Sequence, residues 1–314
     1  MQASPPLGAS EMNQERPTLD PHHRAGLALG LLAYALWGVL PIYFKQIEIL
    51  PATDIVAHRV IWSVPFLALL IGVSGNWDKV REALRHRRIV AFLCTTALLI
   101  AANWLLYVRA VTSGHILAAS FGYYLNPIAN VLLGRFVLRE KLSRIQWTAV
   151  AIAAAGISVL AAGALSQLWI SLTLCVTFAL YGLLRKIVAA DPMTGLAIET
   201  AILLPIAAAW LAWEHWQGEN VMGSNDTLTV LLLLAGVVST TPLLLFTGAA
   251  KRLQYSTLGM LQFIAPTLQF LIAVAVYGER FTLAHAIAFA AIWIALTVYV
   301  TAMLRAPQLP QAPE

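Results

Sequence analysis

Apolar residues run through this chain in long blocks, separated by short stretches where charged residues, Pro and Gly collect. A helix rises 1.5 Å per residue and the hydrocarbon core of a bilayer is about 30 Å thick, so a spanning helix needs about 20 apolar residues. Ten such blocks fit, near 25–44, 52–72, 89–111, 114–136, 145–164, 167–186, 193–213, 228–250, 254–277 and 283–303. No alternation of period two competes with them, which argues against a barrel. Composition agrees. Hydrophobic residues make up 60% and charged residues 11% of the chain, against roughly 45–50% and about 25% in soluble domains. The pattern predicts an all-α integral membrane protein of ten transmembrane helices. Residues 1–24 and 304–314 are polar and contain Pro, and read as disordered tails; the first lacks the apolar run of a secretory signal.

The blocks repeat. In Ala118–Lys141, Pro127 is followed thirteen positions later by Glu140 and then Lys141. In Thr257–Arg280, Pro266 is followed thirteen positions later by Glu279 and then Arg280. The two copies stand 139 residues apart, and at that spacing Tyr123 faces Gln262, Asn130 faces Gln269 and Ala110 faces Ala249. Nearer the start, where loop lengths differ, Trp37-Gly38 matches Tyr181-Gly182, Pro65 matches Pro205 and Arg59 faces Glu199. Residues 25–164 and 167–303 therefore read as two five-helix units. Five is odd, so the second unit must cross the membrane in the opposite sense to the first. Inverted repeats of this kind place a binding site near the midplane and alternate access to it by rocking.

Charge gives the orientation. Loops on the side of the N-terminus hold Lys79, Arg81, Arg85, Arg87 and Arg88, then Arg135, Arg139, Lys141 and Arg144, then Arg185 with Lys186, Lys251 with Arg252, and Arg305. The opposite loops hold Lys45 and Arg280. Positive residues mark the cytoplasmic side, so both tails are expected there. The net charge of +5 is then a topology signal, and no aromatic-and-basic pattern points to nucleic acid.

Two charges fall inside blocks, where a charge costs about 2.5–3.5 kcal/mol on insertion scales. Arg59 lies roughly 10 Å below the outer surface and Glu199 roughly 9 Å above the inner one, by helical rise. One reading makes Arg59 an anion site and Glu199 a coupling acid; the other makes them a structural ion pair or Arg59 a snorkelling side chain. His58 and Trp62 share a face with spacing four. Asn103, Trp104, Tyr123 and Asn126 add polar and aromatic groups at membrane depth, with Tyr181 and Gln262 on partner helices, either to line a solute path or to hydrogen-bond helix to helix. Pro127, Pro242 and Pro266 are candidate hinges, since Pro removes one bond from the helical ladder. Gly26 and Gly30 form a close-packing pair. The fifth and tenth blocks are poorest in polar residues and are expected outermost, where they offer a face for a homodimer. Cys94 and Cys175 read as packed thiols. No enzyme motif, zinc-ligand spacing or nucleotide domain is visible, so neither cofactor nor metal is expected. A channel, or a non-transporting receptor or assembly factor, is the alternative to a carrier.

Taken in order, Ala33-Tyr34, Trp37-Gly38, His58-Arg59, Trp62-Ser63, Asn103-Trp104, Tyr123, Asn126-Pro127, Tyr181-Gly182, Arg185-Lys186, Glu199-Thr200, Thr241-Pro242, Gln262, Pro266-Thr267 and Tyr277-Gly278-Glu279 resemble the RarD type of the drug/metabolite transporter superfamily, built from two EamA-like repeats. The resemblance covers about residues 25–303. It implies ten helices in inverted halves, the bacterial inner membrane, and export or exchange of a small solute.

Overall fold

The computed structural model describes residues 20–112, 116–161, 168–218, 222, 225–278 and 283–305. The two tails up to residue 19 and from 306, and the expected pair Glu279-Arg280, lie outside the described residues. Within them the chain is all-helical: α1 (Pro21–Gln46), α2 (Ala52–Ser74), α3 (Trp77–Arg85), α4 (Arg87–Thr112), α5 (Ile116–Phe136), α6 (Arg144–Ala161), α7 (Leu168–Ile187), α8 (Pro192–Gln217), α9 (Asp226–Arg252), α10 (Tyr255–Leu261), α11 (Ile264–Ala275) and α12 (Leu283–Arg305). Among the described residues, seven helices are long and apolar enough to cross a membrane: α1, α2, α4, α7, α8, α9 and α12.

Local chemistry fixes the helix ends. The Asp191 carboxylate accepts the Thr194 N–H at 3.1 Å, and Pro192 opens α8 with its φ already set. The Asn225 side chain accepts from Thr227 N at 2.8 Å and Leu228 N at 3.2 Å to start α9. Gly75, at φ 65°, closes α2 in the left-handed conformation that only glycine adopts freely.

Two elements differ from the apolar pattern. The short helix α3 occupies what reads as a basic loop. The block 254–277 is not one helix: it breaks at Gln262-Phe263 into α10 and α11. Pro266 has no N–H to return to the Gln262 carbonyl, which instead accepts the Ala265 N–H at 3.2 Å in a tighter turn. Pro127 and Pro242 sit inside α5 and α9, which run on as helix through them.

The packed pairs are α1 with α9 and α11, α2 with α8 and α9, α4 with α7 and α8, α5 with α7 and α10, and α6 with α12. Apolar burial gives little drive between helices in lipid, so close backbone approach through small residues takes its place. Gly26 lies against Arg252 and Leu253, and Gly236 against the backbone of Trp62 and Ser63. At Gly259 an added Cβ would lie 2.8 Å from the Pro127 carbonyl, which is how α10 seats on α5. The pair α6–α12 packs through Gly156 and Ala291 and leaves Ile145, Val159, Trp293 and Ile294 exposed. One apolar core joins Tyr34, Phe178, Tyr181, Phe246 and Tyr255; a second joins α6 and α12 to Val131 and Phe263.

Candidate functional site

Four helices, α2, α4, α8 and α9, enclose a cavity whose polar lining is Arg59, Ser63, Glu199, Thr200, Ser239 and Thr240, with Trp104 as its aromatic wall. The space is about 20 Å³, room for a water molecule and no more.

Arg59 projects from α2 into this cavity. Its Nε donates to Ser239 Oγ at 2.6 Å, and its guanidinium lies 4.1 Å from the Trp104 ring centre and 5.8 Å from that of Phe44. The stacked indole face satisfies part of the positive charge through its quadrupole. Among the described residues no carboxylate lies within ion-pair distance of Arg59.

Glu199 borders the same cavity and does not pair with Arg59. Its Oε1 accepts from Thr96 Oγ1 at 2.5 Å and lies 3.6 Å from Arg185 Nε; its Oε2 accepts from the Tyr181 hydroxyl at 3.5 Å. Arg185 corrects a sequence expectation. It reads as a loop cation beside Lys186, yet it is the largest fully buried side chain among the described residues, at 0% exposure. Only Val188–Asp191 separates α7 from α8, so the hairpin folds Arg185 back along α8. Gly195 makes room for it: a Cβ there would collide with the guanidinium. Arg185 Nη2 donates to the Pro192 carbonyl at 3.0 Å. Lys186 does stand at a helix end. Its Nζ donates to the Ala250 and Leu253 carbonyls closing α9, while Lys251 Nζ donates to the Lys186 and Val188 carbonyls closing α7. Each lysine thus caps the other's helix.

Of the sequence candidates, Arg59, Trp104 and Glu199 meet at the cavity, with Tyr181 behind Glu199. The others do not line it. Asn103 Nδ2 donates to the Leu174 carbonyl at 2.9 Å and Thr177 Oγ1 at 2.8 Å, tying α4 to α7, and its Oδ1 accepts from the Tyr123 hydroxyl at 3.2 Å. Gln262 Oε1 accepts from Asn130 Nδ2 at 2.9 Å across the α5–α10 contact. Asn126 is fully buried, and neither polar atom of its side chain has a hydrogen-bond partner among the described residues; the same holds for His58 Nδ1 and Trp62 Nε1. Of the three prolines, Pro266 stands at the helix break. Thr96, Arg185 and Ser239 belong to the site and are not among the sequence candidates for it: hydroxyl residues are too common in apolar helices to stand out, and Arg185, although part of the family-like Arg185-Lys186 pair, reads as a loop cation. Among the described residues no group of His, Cys, Asp and Glu is arranged to hold a metal.

The EamA-like transporter family matches this chain twice, over residues 24–162 and 165–301. Protein RarD of Salmonella typhi is 45% identical over 285 residues, 88% of this chain and 95% of that one. An uncharacterized transporter of Vibrio cholerae is 45% identical over 284 residues, 90% of this chain and 94% of that one. A solved crystal structure of a protein 18% identical in sequence aligns over 90% of this chain and 99% of its own with a TM-score of 0.71, a shared fold. With two family matches that span both halves of the membrane region, and relatives at this identity over nearly their whole length, the chain belongs to the EamA-like transporter family as a RarD-type member.

Proposed function

We propose that this chain is a secondary transporter of the bacterial inner membrane, with both tails cytoplasmic, that moves a small solute carrying a carboxylate or comparable acceptor group by export or exchange. Its ten spans form two inverted five-helix units, counting α10 and α11 as one and α3 as a surface helix. Support comes from the principal helix contacts, which map onto one another when the first five spans exchange with the second five: α1–α9 becomes α7–α4, α5–α7 becomes α11–α1, and α2–α8, α5–α10 and α6–α12 return to themselves. A cavity of about 20 Å³ holds no solute, so passage needs the units to move relative to each other, as alternating access requires.

The observation that carries the solute assignment is Arg59. Among the described residues this buried guanidinium has one hydroxyl partner, an aromatic ring beside it and no carboxylate, so it retains donor capacity for an acceptor arriving in the cavity. Glu199 is the candidate coupling acid, because it borders the cavity and is matched by a cation of its own. A thermal-shift screen of the purified protein against small carboxylates and carbonyl-bearing drugs identifies a stabilising solute by mass action. In proteoliposomes Arg59→Ala then melts near the native temperature and loses transport of that solute. Arg59→Lys recovers little, because an ammonium lacks the planar fork. Full transport by Arg59→Ala would remove Arg59 from the solute path.

A further inference from the structure

The nine-residue helix α3 takes no part in the transport reading. Its links hold it at the end of the bundle. The α2 helix closes at Ser74; Gly75 turns the chain at φ 65°, and the Asn76 N–H returns to the Ile71 carbonyl at 3.1 Å. His86 alone separates α3 from α4. Since α2 and α4 are both long apolar spans, α3 is confined to the level where they leave the membrane.

Its two faces differ. Ala83 and Val80 point into the protein, against Leu93, Val188 and Ile198. Trp77 and Leu84 point away, 47% and 53% exposed. They share that outer surface with Arg81 and Arg85, at spacings of three, four, seven and eight that keep all four together. Lys79, Arg87 and Arg88 are exposed beside them, so five cations gather here against Asp78 and Glu82. Among the described residues the sole acidic contact made by the outer face is Arg81 to Asp78, at 3.4 Å between two exposed groups, which binds weakly. An indole and an isobutyl group left in water beside guanidinium groups are poorly placed in a soluble loop. At the headgroup level the same set fits: ring and Leu reach the upper acyl chains, and cations meet phosphates.

We propose that the outer face of α3 is a docking surface for anionic phospholipid headgroups. Arg81, Arg85 and Arg88 take the phosphodiester oxygens, and Trp77 and Leu84 seat in the acyl region beneath. A juxtamembrane cluster of this size is drawn to an anionic leaflet by its charge, and the apolar pair supplies the second signal that stable surface attachment requires. The proposal is independent of which solute the protein carries.

The test uses the full chain with Cys94 and Cys175 replaced by Ala, and a bimane label on Leu84→Cys. Vesicles of phosphatidylcholine carry an equal small fraction of either brominated phosphatidylglycerol or brominated phosphatidylcholine. The anionic quencher is expected to act several-fold more strongly, with the difference shrinking in high salt. Arg81→Gln/Arg85→Gln/Arg88→Gln lowers that preference by at least about fivefold, whereas Arg135→Gln/Arg144→Gln, exposed cations at the end of α5 and the start of α6, leaves it in place. Equal quenching by the two lipids in the otherwise native protein overturns the proposal and leaves α3 free for a protein partner. Preference retained in the triple variant also overturns it. So does a preference that inorganic phosphate abolishes at constant ionic strength, since the cations would then serve a soluble anion.

Discussion

Arg185 and Glu199 carry opposite charges at a depth where neither is hydrated, and each is 0–1% exposed. Removing one partner leaves the other as an uncompensated buried charge, which costs about 3–5 kcal/mol. Arg185→Gln is therefore expected to lower the melting temperature sharply, and Arg185→Gln with Glu199→Gln to recover a large part of the loss. Additive loss in the double variant would show that the two do not act as a pair. Gly195→Ala acts on the same pair from the other side, since its methyl occupies the space of the guanidinium; it should destabilise like Arg185→Gln, although alanine favours a helix over glycine by about 1 kcal/mol. For coupling, Glu199→Gln keeps the shape and removes the titrating group. Transport by that variant should no longer follow a pH gradient while solute exchange persists; an unchanged pH dependence would discard the coupling role. At this scale the sequence was half legible. An acid in the middle of an apolar block stands out, as Glu199 does. A cation at the end of a block does not declare whether it snorkels or folds inward, and Arg185 and Lys186, adjacent in sequence, do opposite things. The direction depends on the shortness of the Val188–Asp191 link and on the space left at Gly195, neither of which shows in a count of charges.

At the scale of elements, the repeated Pro and Glu were plain in the sequence and their tasks were not. Glu140 follows α5, yet its carboxylate accepts the N–H of Tyr255 at 2.5 Å, and the N–H and hydroxyl of Ser256 at 3.0 and 2.6 Å. A residue of the first unit thus caps the helix that begins α10 in the second. Periodicity cannot reveal such a contact, because its two ends are 115 residues apart. Loss of a cap of this kind costs about 0.5–2 kcal/mol, so Glu140→Ala should show a modest fall in thermal stability, and no fall would mean that water replaces the carboxylate without penalty. The prolines carry a similar lesson. Both predict a disturbed helix, but the ladder breaks only before Pro266, where Leu258 also accepts the Tyr34 hydroxyl at 3.1 Å and Asn130 holds the Gln262 side chain. Tertiary partners decide whether a missing bond becomes a break. The α5–α10 contact can be checked directly: Asn130→Cys with Gln262→Cys, in the chain lacking Cys94 and Cys175, should crosslink readily under oxidation, while pairing of Asn130→Cys only with α6 or α12 positions would refute the arrangement.

At the scale of the whole molecule, the side-chain ties join those helix ends that the charge count assigns to one face. The Tyr43 hydroxyl, near the end of α1, donates to the Leu231 carbonyl near the start of α9 at 2.8 Å, and Trp210 Nε1, late in α8, donates to Asp54 at the start of α2 at 3.1 Å. These four ends belong to the proposed outer face. Glu140 with the start of α10, and Lys186 and Lys251 with the ends of α9 and α7, belong to the proposed inner face. Withdrawing Arg185 from the loop cations does not alter the balance, because the stretch from Lys79 to Arg88 alone holds five, against Lys45 and Arg280 on the other side. Both proposed faces are tied and the cavity is about 20 Å³; on the proposed alternating-access reading, opening either side would release one set of ties. The orientation itself is what a fusion reads. A reporter joined after Arg305 should behave as cytoplasmic, and one placed between Glu214 and Asp226, beyond the Trp210–Asp54 tie, as external. If the second reporter is cytoplasmic, then α8 and α9 meet on the inner side, the count of five spans per unit fails, and the inverted relation between the units fails with it.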